Sequence, residues 1–74
     1  MTRSDFLLLI KKECDFAELS EVEILDENDD WDSLNFIKII SLFKSVLNFM
    51  PDVQRMRACA TMAEILDLGE GHYD

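Results

Sequence analysis

The chain has 74 residues, of which 16 are acidic and seven basic, giving a formal net charge of −9. This length fits one domain near the lower limit for burying its own core, and 49% hydrophobic residues are enough for it to fold. The charge would repel a phosphate backbone, so we expect no nucleic-acid binding. It favours transient protein partners with basic docking patches instead.

The cysteines and the apolar runs bear on the cellular compartment. Cys14 and Cys59 do not form a CxxC pair, and we interpret both as reduced, small hydrophobic residues. The apolar run at 6–10 is followed by charged residues rather than a cleavage site, which is not typical of a signal peptide. No run approaches membrane-spanning length. We therefore expect a cytoplasmic monomer without a membrane partner.

A helix-start pattern opens the chain. Thr2 and Asp5 form a T-x-x-D sequence, in which a hydroxyl and a carboxylate satisfy free backbone amides. The pattern predicts a first helix over residues 3–14. Phe6, Leu9 and Ile10 share one face of it and are expected to point into the core.

An acidic stretch follows the first helix. From Glu13 to Asp32 there are ten acidic residues and no Lys or Arg, which predicts a long loop. A connection of this length in a small domain is more often functional than idle, although a loop that only confers solubility explains the acids equally well. Its apolar residues are expected to pin it to the bundle: Phe16, Leu19, Val22, Ile24 and Leu25.

A second helix is predicted over about 33–49, capped by Asp32 or Ser33. Its apolar residues follow helical spacing in two adjoining series: Leu34, Ile37 and Ile40, and Phe36, Ile39, Phe43, Val46 and Met50. Two series are more than one core contact requires. Either one packs inward while the other meets a partner or ligand, or the helix is buried on all sides.

The remaining elements are short. Pro51 is predicted to end the second helix, because proline cannot donate to the helical ladder. Residues 52–58 are expected to hold a short helical turn. A capping box from Thr61 to Glu64 then opens a last helix that runs through Leu68.

Gly69 is expected to end this last helix, leaving residues 69–74 as a flexible tail. No strand-like alternation or internal repeat competes with this plan. The fold class is therefore all-α: a small acidic four-helix bundle of three main helices and a short third helix. It forms a single domain over 1–74, with an ordered core at about 3–68.

The most informative stretch lies where the acidic loop meets the second helix. Ser33 is expected there in an exposed and defined position, between Asp32 and Leu34. The unpaired amides and positive dipole end of a helix N-terminus favour a phosphate attached at such a hydroxyl. As a string, Asp-Ser-Leu is common, and a serine that merely caps the helix is the alternative.

In its context, Asp32-Ser33-Leu34 resembles the attachment motif of acyl carrier proteins. It falls in the middle of a small acidic domain with the family's order of helices. Residues 51–65 are similar to the family's short third helix and the start of its fourth. The resemblance covers residues 3–68 and implies the acyl-carrier-protein bundle.

The resemblance also implies a function. A phosphopantetheinyl transferase, with magnesium, would attach 4′-phosphopantetheine from coenzyme A to Ser33. Asp32 would help to place the magnesium and the coenzyme, and Leu34 would pack beside the arm. The thiol of the arm would then carry acyl groups as thioesters, delivered by an acyl-loading ligase or acyltransferase and used by a ketosynthase or other acyl-processing enzyme. The chain itself would not be an enzyme, and its one histidine, His72, lies in the predicted tail.

The partner-facing positions implied by the resemblance depart from the family's pattern. They include Ile37, which matches a position that commonly contacts partner enzymes, and also Asn35 and Lys38, where typical members carry acidic residues. Lys38 would weaken attraction to a basic patch, and like charges exclude wrong partners. We therefore expect partners from polyketide or other secondary metabolism rather than housekeeping fatty-acid synthesis.

Three alternatives remain open. Oxygen-bearing residues alternate as in an EF-hand loop, but Trp31 and Ile37 replace its glycine and bidentate glutamate; the alternating residues are Asp26, Asn28, Asp30 and Asp32. A peptidyl or aminoacyl carrier would share arm and bundle, although residues 29–32 lack the glycines usual in that group. An unmodified helical adaptor would use the exposed side of the second helix to bind a protein.

Overall fold

The computed structural model describes residues 1–73. Its elements are four α-helices, α1 (Arg3–Glu13), α2 (Ser33–Val46), α3 (Val53–Ala58) and α4 (Met62–Asp67), with a 3-10 turn at Leu25–Glu27 in the loop between α1 and α2. Over the described residues there is no β-strand. The all-α class is confirmed, but two helices are short rather than one, since α3 and α4 have six residues each.

The start of α1 has the predicted capping box. The backbone N–H of Asp5 donates to the Thr2 hydroxyl at 3.2 Å, and the N–H of Thr2 donates to the Asp5 carboxylate at 3.3 Å. The helix ends at Glu13, one residue before the prediction, with Cys14 as its C-cap. Asp15 then takes a left-handed conformation, φ 56°, which turns the chain into the acidic loop.

The end of α2 differs from the sequence prediction. The helix stops at Val46, not near residue 49, and Pro51 is not what stops it. Asn48 adopts a left-handed conformation, φ 57°, which asparagine adopts more readily than most residues other than glycine. The N–H of Phe49 then donates to the carbonyl of Phe43 at 3.4 Å, so the helix is already closed before the proline.

The last helix begins as predicted. The Thr61 hydroxyl accepts the backbone N–H of Glu64 at 3.4 Å, and α4 runs to Asp67, one residue short of the predicted end. Gly69 follows where space is scarce. A Cβ atom there would lie 2.6 Å from the hydroxyl oxygen of Tyr73 and 3.1 Å from a ring carbon of Phe43, so even alanine would force a ring to shift.

The core draws side chains from every helix. The rings of Phe6 and Phe43 lie 4.9 Å apart between centroids and join α1 to α2. Around them are the other fully buried side chains of the helices: Ile10, Ile39, Met56, Met62, Ile65 and Leu66. Among residues 1–73, no helix combines the length and apolar character needed to cross a bilayer.

The acidic loop is anchored by fewer apolar residues than the sequence predicts. Phe16 and Leu25 are buried and Leu19 is half-buried, as expected. Val22 and Ile24 are instead exposed, Val22 to 81%. The prediction that all five pin the loop is therefore wrong for these two.

Backbone hydrogen bonds replace the missing apolar anchors. The middle of the loop runs antiparallel to the segment that leads into α4, with one bridge between Ile24 and Thr61. Three backbone N–H groups donate to backbone carbonyls across this contact: Leu25 to the carbonyl of Ala60 at 2.9 Å, Met62 to that of Glu23 at 3.1 Å, and Ala63 to that of Glu21 at 2.8 Å. The pattern of side chains in the sequence does not predict such hydrogen bonds, because they depend on the backbone conformation of both segments.

A polar cluster joins the two ends of the chain. Arg3 forms ion pairs with Glu21 at 2.9 Å, with Asp67 at 2.7 Å and with Glu70, and its guanidinium donates to the carbonyl of Ala63 at 3.0 Å. Partial burial alone would lower the pKa of Arg3, but the hydrogen bonds to the three carboxylates outweigh it and raise the pKa above its ordinary value. These five residues are called the Arg3 cluster below.

The segment predicted as a flexible tail, 69–74, makes defined contacts as far as Tyr73. The Tyr73 hydroxyl donates to the carbonyl of Leu66 at 2.7 Å. The ring of His72 stacks on Phe49, with centroids 4.1 Å apart and planes 14° from parallel. Asp74 lies outside the described residues.

Candidate functional site

Ser33 is the first residue of α2, and its side chain is exposed. Of the two candidate caps, the structure selects Asp32, whose carboxylate accepts the backbone N–H of Asn35 at 2.8 Å. Within residues 1–73 the Ser33 hydroxyl makes no hydrogen bond. The capping role thus falls to the aspartate, and the serine hydroxyl stays free at the helix N-terminus.

Asn35 differs from its prediction as a partner contact. It is only 8% exposed, and its side-chain amide donates to the carbonyl of Asp30 at 2.7 Å. The Asp30 carboxylate accepts the N–H of Ala17 at 3.3 Å, and the Asn28 side chain accepts the N–H of Asp30 at 2.8 Å. Asn35 is therefore a buried residue that stabilises the loop preceding Ser33 through this hydrogen bond.

A cleft opens beside the serine between α2 and α3. It has a volume of about 480 Å³ and is lined by Trp31, Asp32, Ser33, Phe36 and Arg57. The Trp31 and Phe36 rings meet edge to face at 5.9 Å, and the guanidinium carbon of Arg57 lies 5.9 Å from the centre of the Phe36 ring. This Ser33 cleft combines a free hydroxyl, an aromatic wall and a cation.

The two apolar series of α2 separate only in part, because Ile40 of the first packs against the core, whereas Val46 and Met50 of the second are exposed. Ile39 and Phe43 are fully buried, whereas Leu34 is 61% and Ile37 59% exposed. The alternative that the helix is buried on all sides is therefore wrong, as is a core role for Leu34 and Ile37. The outward residues flank Ser33 and leave apolar surface for a partner or ligand.

Lys38 lies beside this outward surface. It is half-buried and lines a shallow groove of about 330 Å³ with Glu13, Ile37, Ser41 and Leu42. The groove therefore carries both signs of charge around an apolar floor. The face below Ser33 is not uniformly acidic, in agreement with the departure noted in the sequence.

The oxygen-bearing residues of the EF-hand-like stretch serve the backbone. Asn28, Asp30 and Asp32 each accept a backbone N–H, as described above. In the part of the chain that the structure describes, no three His, Cys, Asp or Glu side chains are grouped so as to hold a metal ion. These contacts give the alternating carboxylates a structural explanation.

Both cysteines are free thiols away from the Ser33 cleft. Cys14 is buried and Cys59 half-buried, and burial raises the pKa of each thiol. The thiol of Cys59 donates to the carbonyl of Arg55 at 3.3 Å. Their interpretation as small hydrophobic residues is in agreement with these positions.

Sequence reasoning missed Arg57 as a site residue. It is 24 positions from Ser33 and belongs to a six-residue helix that carries no motif of its own. Only the packing of α3 beside the start of α2 brings the two together.

Comparisons with protein-family models, curated proteins and solved structures found no match to this chain.

Proposed function

We propose that this chain is an acyl carrier protein with the family's four-helix bundle, and that Ser33 carries 4′-phosphopantetheine. One observation carries the proposal: a serine hydroxyl without a hydrogen bond stands at the N-terminus of a 14-residue helix, in an Asp-Ser-Leu sequence, beside an open cleft. The neighbouring aspartate does the capping, so the serine is not needed for the fold.

The residues around Ser33 fit the prosthetic group. The N-terminal amides of α2 favour the phosphate, and Arg57 offers a cation in the same cleft. The group would supply a thiol on a long arm, which holds acyl chains as thioesters. The chain's own residues hold the root of the arm and leave acyl chemistry to other proteins, so the chain is not itself an enzyme.

A transferase would complete the site during attachment. The Ser33 oxygen would form a bond to the phosphorus on the pantetheine side of the coenzyme A pyrophosphate, while the bond from that phosphorus to the bridging oxygen breaks and 3′,5′-ADP leaves with the electron pair. Among the described cleft residues only the Asp32 carboxylate could take the hydroxyl proton, and it already accepts the backbone N–H of Asn35 at 2.8 Å. The transferase must therefore provide the base, and Asp32 would help to place its magnesium and coenzyme.

The outward face of α2 favours specialised partners. Leu34 and Ile37 are exposed apolar contacts, and Lys38 interrupts the acidic surface that a general basic docking patch would require. We therefore place the protein in polyketide or other secondary metabolism, served by a loading ligase or acyltransferase and by a ketosynthase or other acyl-processing enzyme.

Intact-mass measurement tests the proposal directly. Purified protein is incubated with coenzyme A, magnesium and a promiscuous phosphopantetheinyl transferase. We expect a mass gain of one phosphopantetheine, absent in Ser33→Ala and retained in Ser41→Ala, which removes another exposed serine of α2. An unmodified wild-type chain, or a Ser33→Ala variant that still gains the mass, would disprove the assignment.

The exposed Leu34 and Ile37 also support a second candidate, an unmodified helical adaptor. The mass experiment separates the two, because an adaptor would gain no phosphopantetheine. A peptidyl or aminoacyl carrier would gain it, and is distinguished by which loading enzyme, an amino-acid-adenylating or an acyl-activating one, charges the modified chain.

A further inference from the structure

Arg57 differs from Arg3 in its pairing. Arg3 is paired with three carboxylates and a carbonyl. Arg57 is exposed and, within residues 1–73, makes no ion pair, although the chain carries 16 acidic residues. The guanidinium carbon of Arg57 lies 5.9 Å from the centre of the Phe36 ring, a cation–π contact that leaves the charge unneutralised.

The charges that line the Ser33 cleft suggest what Arg57 binds. Only Asp32 and Arg57 are ionisable there. The carboxylate of Asp32 already accepts a backbone N–H at 2.8 Å and would repel another anion. Beside the N-terminal amides of α2, the cationic partner for an anion among the described cleft residues is therefore Arg57, whose planar donors match the oxygens of a phosphate.

We infer that Arg57 binds the phosphodiester that joins the arm to Ser33 and directs the root of the arm into the cleft between α2 and α3. This inference rests on the proposed function. Trp31 and Phe36 form the apolar side of the path that leads away from the phosphate. Arg57 is thus a positioning residue, which restrains the root of the arm and leaves its thiol free.

The chain provides a matched control for Arg57. Arg55 lies on the same short helix and is equally exposed, but it lines a different cleft with Cys59, Glu64 and Asp67. Arg57→Gln and Arg55→Gln therefore remove the same charge from the same helix. They differ in whether the lost guanidinium faced Ser33.

Two signals report on the root of the arm in the modified protein. The ³¹P resonance of the phosphodiester senses the group that binds it. Trp31 is the single tryptophan of the chain and lies in the cleft, so its fluorescence senses the arm there. Each variant is measured before and after modification, so that a change caused by the substitution alone is subtracted.

The experiment starts by driving wild type, Arg57→Gln, Arg57→Lys and Arg55→Gln to full modification, verified by intact mass. We expect the ³¹P resonance of wild type to move between low salt and about 1 M salt, where the screening length falls to about 3 Å. Arg55→Gln should behave like wild type. Arg57→Gln should show the high-salt position at every salt concentration and lose the Trp31 change on modification, and Arg57→Lys should fall between.

The outcomes separate the two proposals. If wild type accepts no phosphopantetheine, the proposed function fails and the inference fails with it. If modified wild type and Arg57→Gln show the same ³¹P salt dependence and the same Trp31 change, only the role of Arg57 is overturned. Equal losses in Arg55→Gln and Arg57→Gln would also overturn it, because they would indicate a general charge effect of α3.

Discussion

The Arg3 cluster and the Ser33 cleft each contain an arginine, and the two arginines are used in opposite ways. The Arg3 side chain is 24% exposed and its donors are taken up by Glu21, Asp67, Glu70 and a carbonyl. Arg57 is exposed, forms no ion pair among residues 1–73 and lies over the Phe36 ring. The first joins both ends of the chain through the fold's own carboxylates. The second keeps its charge unpaired, so the ion pairs of the fold and the cleft that we propose binds the arm lie in separate regions.

The largest expected effect separates the inner and outer sides of α2. Ile39 is fully buried and Ile37 is 59% exposed, two positions apart on one helix. Ile39→Ala should lower the free energy of unfolding by about 2 to 5 kcal/mol, from lost burial and a residual cavity. Ile37→Ala should change it by less than about 0.5 kcal/mol. Urea unfolding followed by circular dichroism measures both, and equal losses would show that the outer side also belongs to the core.

The two arginines themselves give the next effect. Arg3→Gln should cost about 1 to 2 kcal/mol of unfolding free energy, because charged hydrogen bonds are lost at a partly exposed site. Arg57→Gln should cost less than about 0.5 kcal/mol in the unmodified protein. High salt should reduce the difference in unfolding free energy between Arg3→Gln and Arg57→Gln, because it screens the ion pairs of Arg3. If Arg57→Gln were the more destabilising in urea unfolding, Arg57 would be a structural residue and the contrast would fail.

The smallest effect concerns Tyr73, which lies beside the Arg3 cluster. The centroid of its ring is 5.9 Å from that of the Phe6 ring. Burial raises the pKa of Tyr73 to about 12 from an ordinary 10, although the nearby Arg3 opposes the shift. The folded state thus holds this proton more tightly than the unfolded state, so its contribution to stability is full below pH 10 and is lost as the pH rises towards 12.

Tyr73→Phe should remove that part of the alkaline loss of stability while costing about 1 kcal/mol at neutral pH for the lost hydrogen bond to Leu66. The thiols of Cys14 and Cys59 also have raised pKa values, so they too contribute to the loss of folding stability at alkaline pH. The quantity to compare is therefore the difference in unfolding free energy between wild type and Tyr73→Phe at each pH. Identical pH profiles from urea titrations would rule out a role for the Tyr73 hydroxyl.

Local signals in the sequence predicted most of the helix starts. The capping residues Thr2, Asp32 and Thr61 each accept the backbone N–H expected of them, because capping depends only on residues three positions away. The end of α2 was predicted less well. Proline is the stronger helix breaker by residue type, but the helix ends before Pro51, because Asn48 adopts a left-handed conformation.

The candidate site was predicted in part. The exposed position of Ser33 follows from its place at a loop-to-helix junction, whereas the choice of Asp32 over Ser33 as the cap was made only by the structure. Asn35 was misjudged, because whether a polar residue in the first turn faces solvent or a loop carbonyl depends on where the loop runs. Arg57 had no local signal, because its part in the cleft arises from the packing of another helix.

By itself, the sequence determined the all-α class, the order of the helices and the serine at the start of the second, since periodicity and capping act within a few residues. Only the tertiary structure decided which apolar side of α2 stays outside, which arginine is neutralised and which faces Ser33. Those outcomes depend on contacts between residues far apart in the chain, and the direction in which two helices pack is set by the whole core rather than by any short pattern.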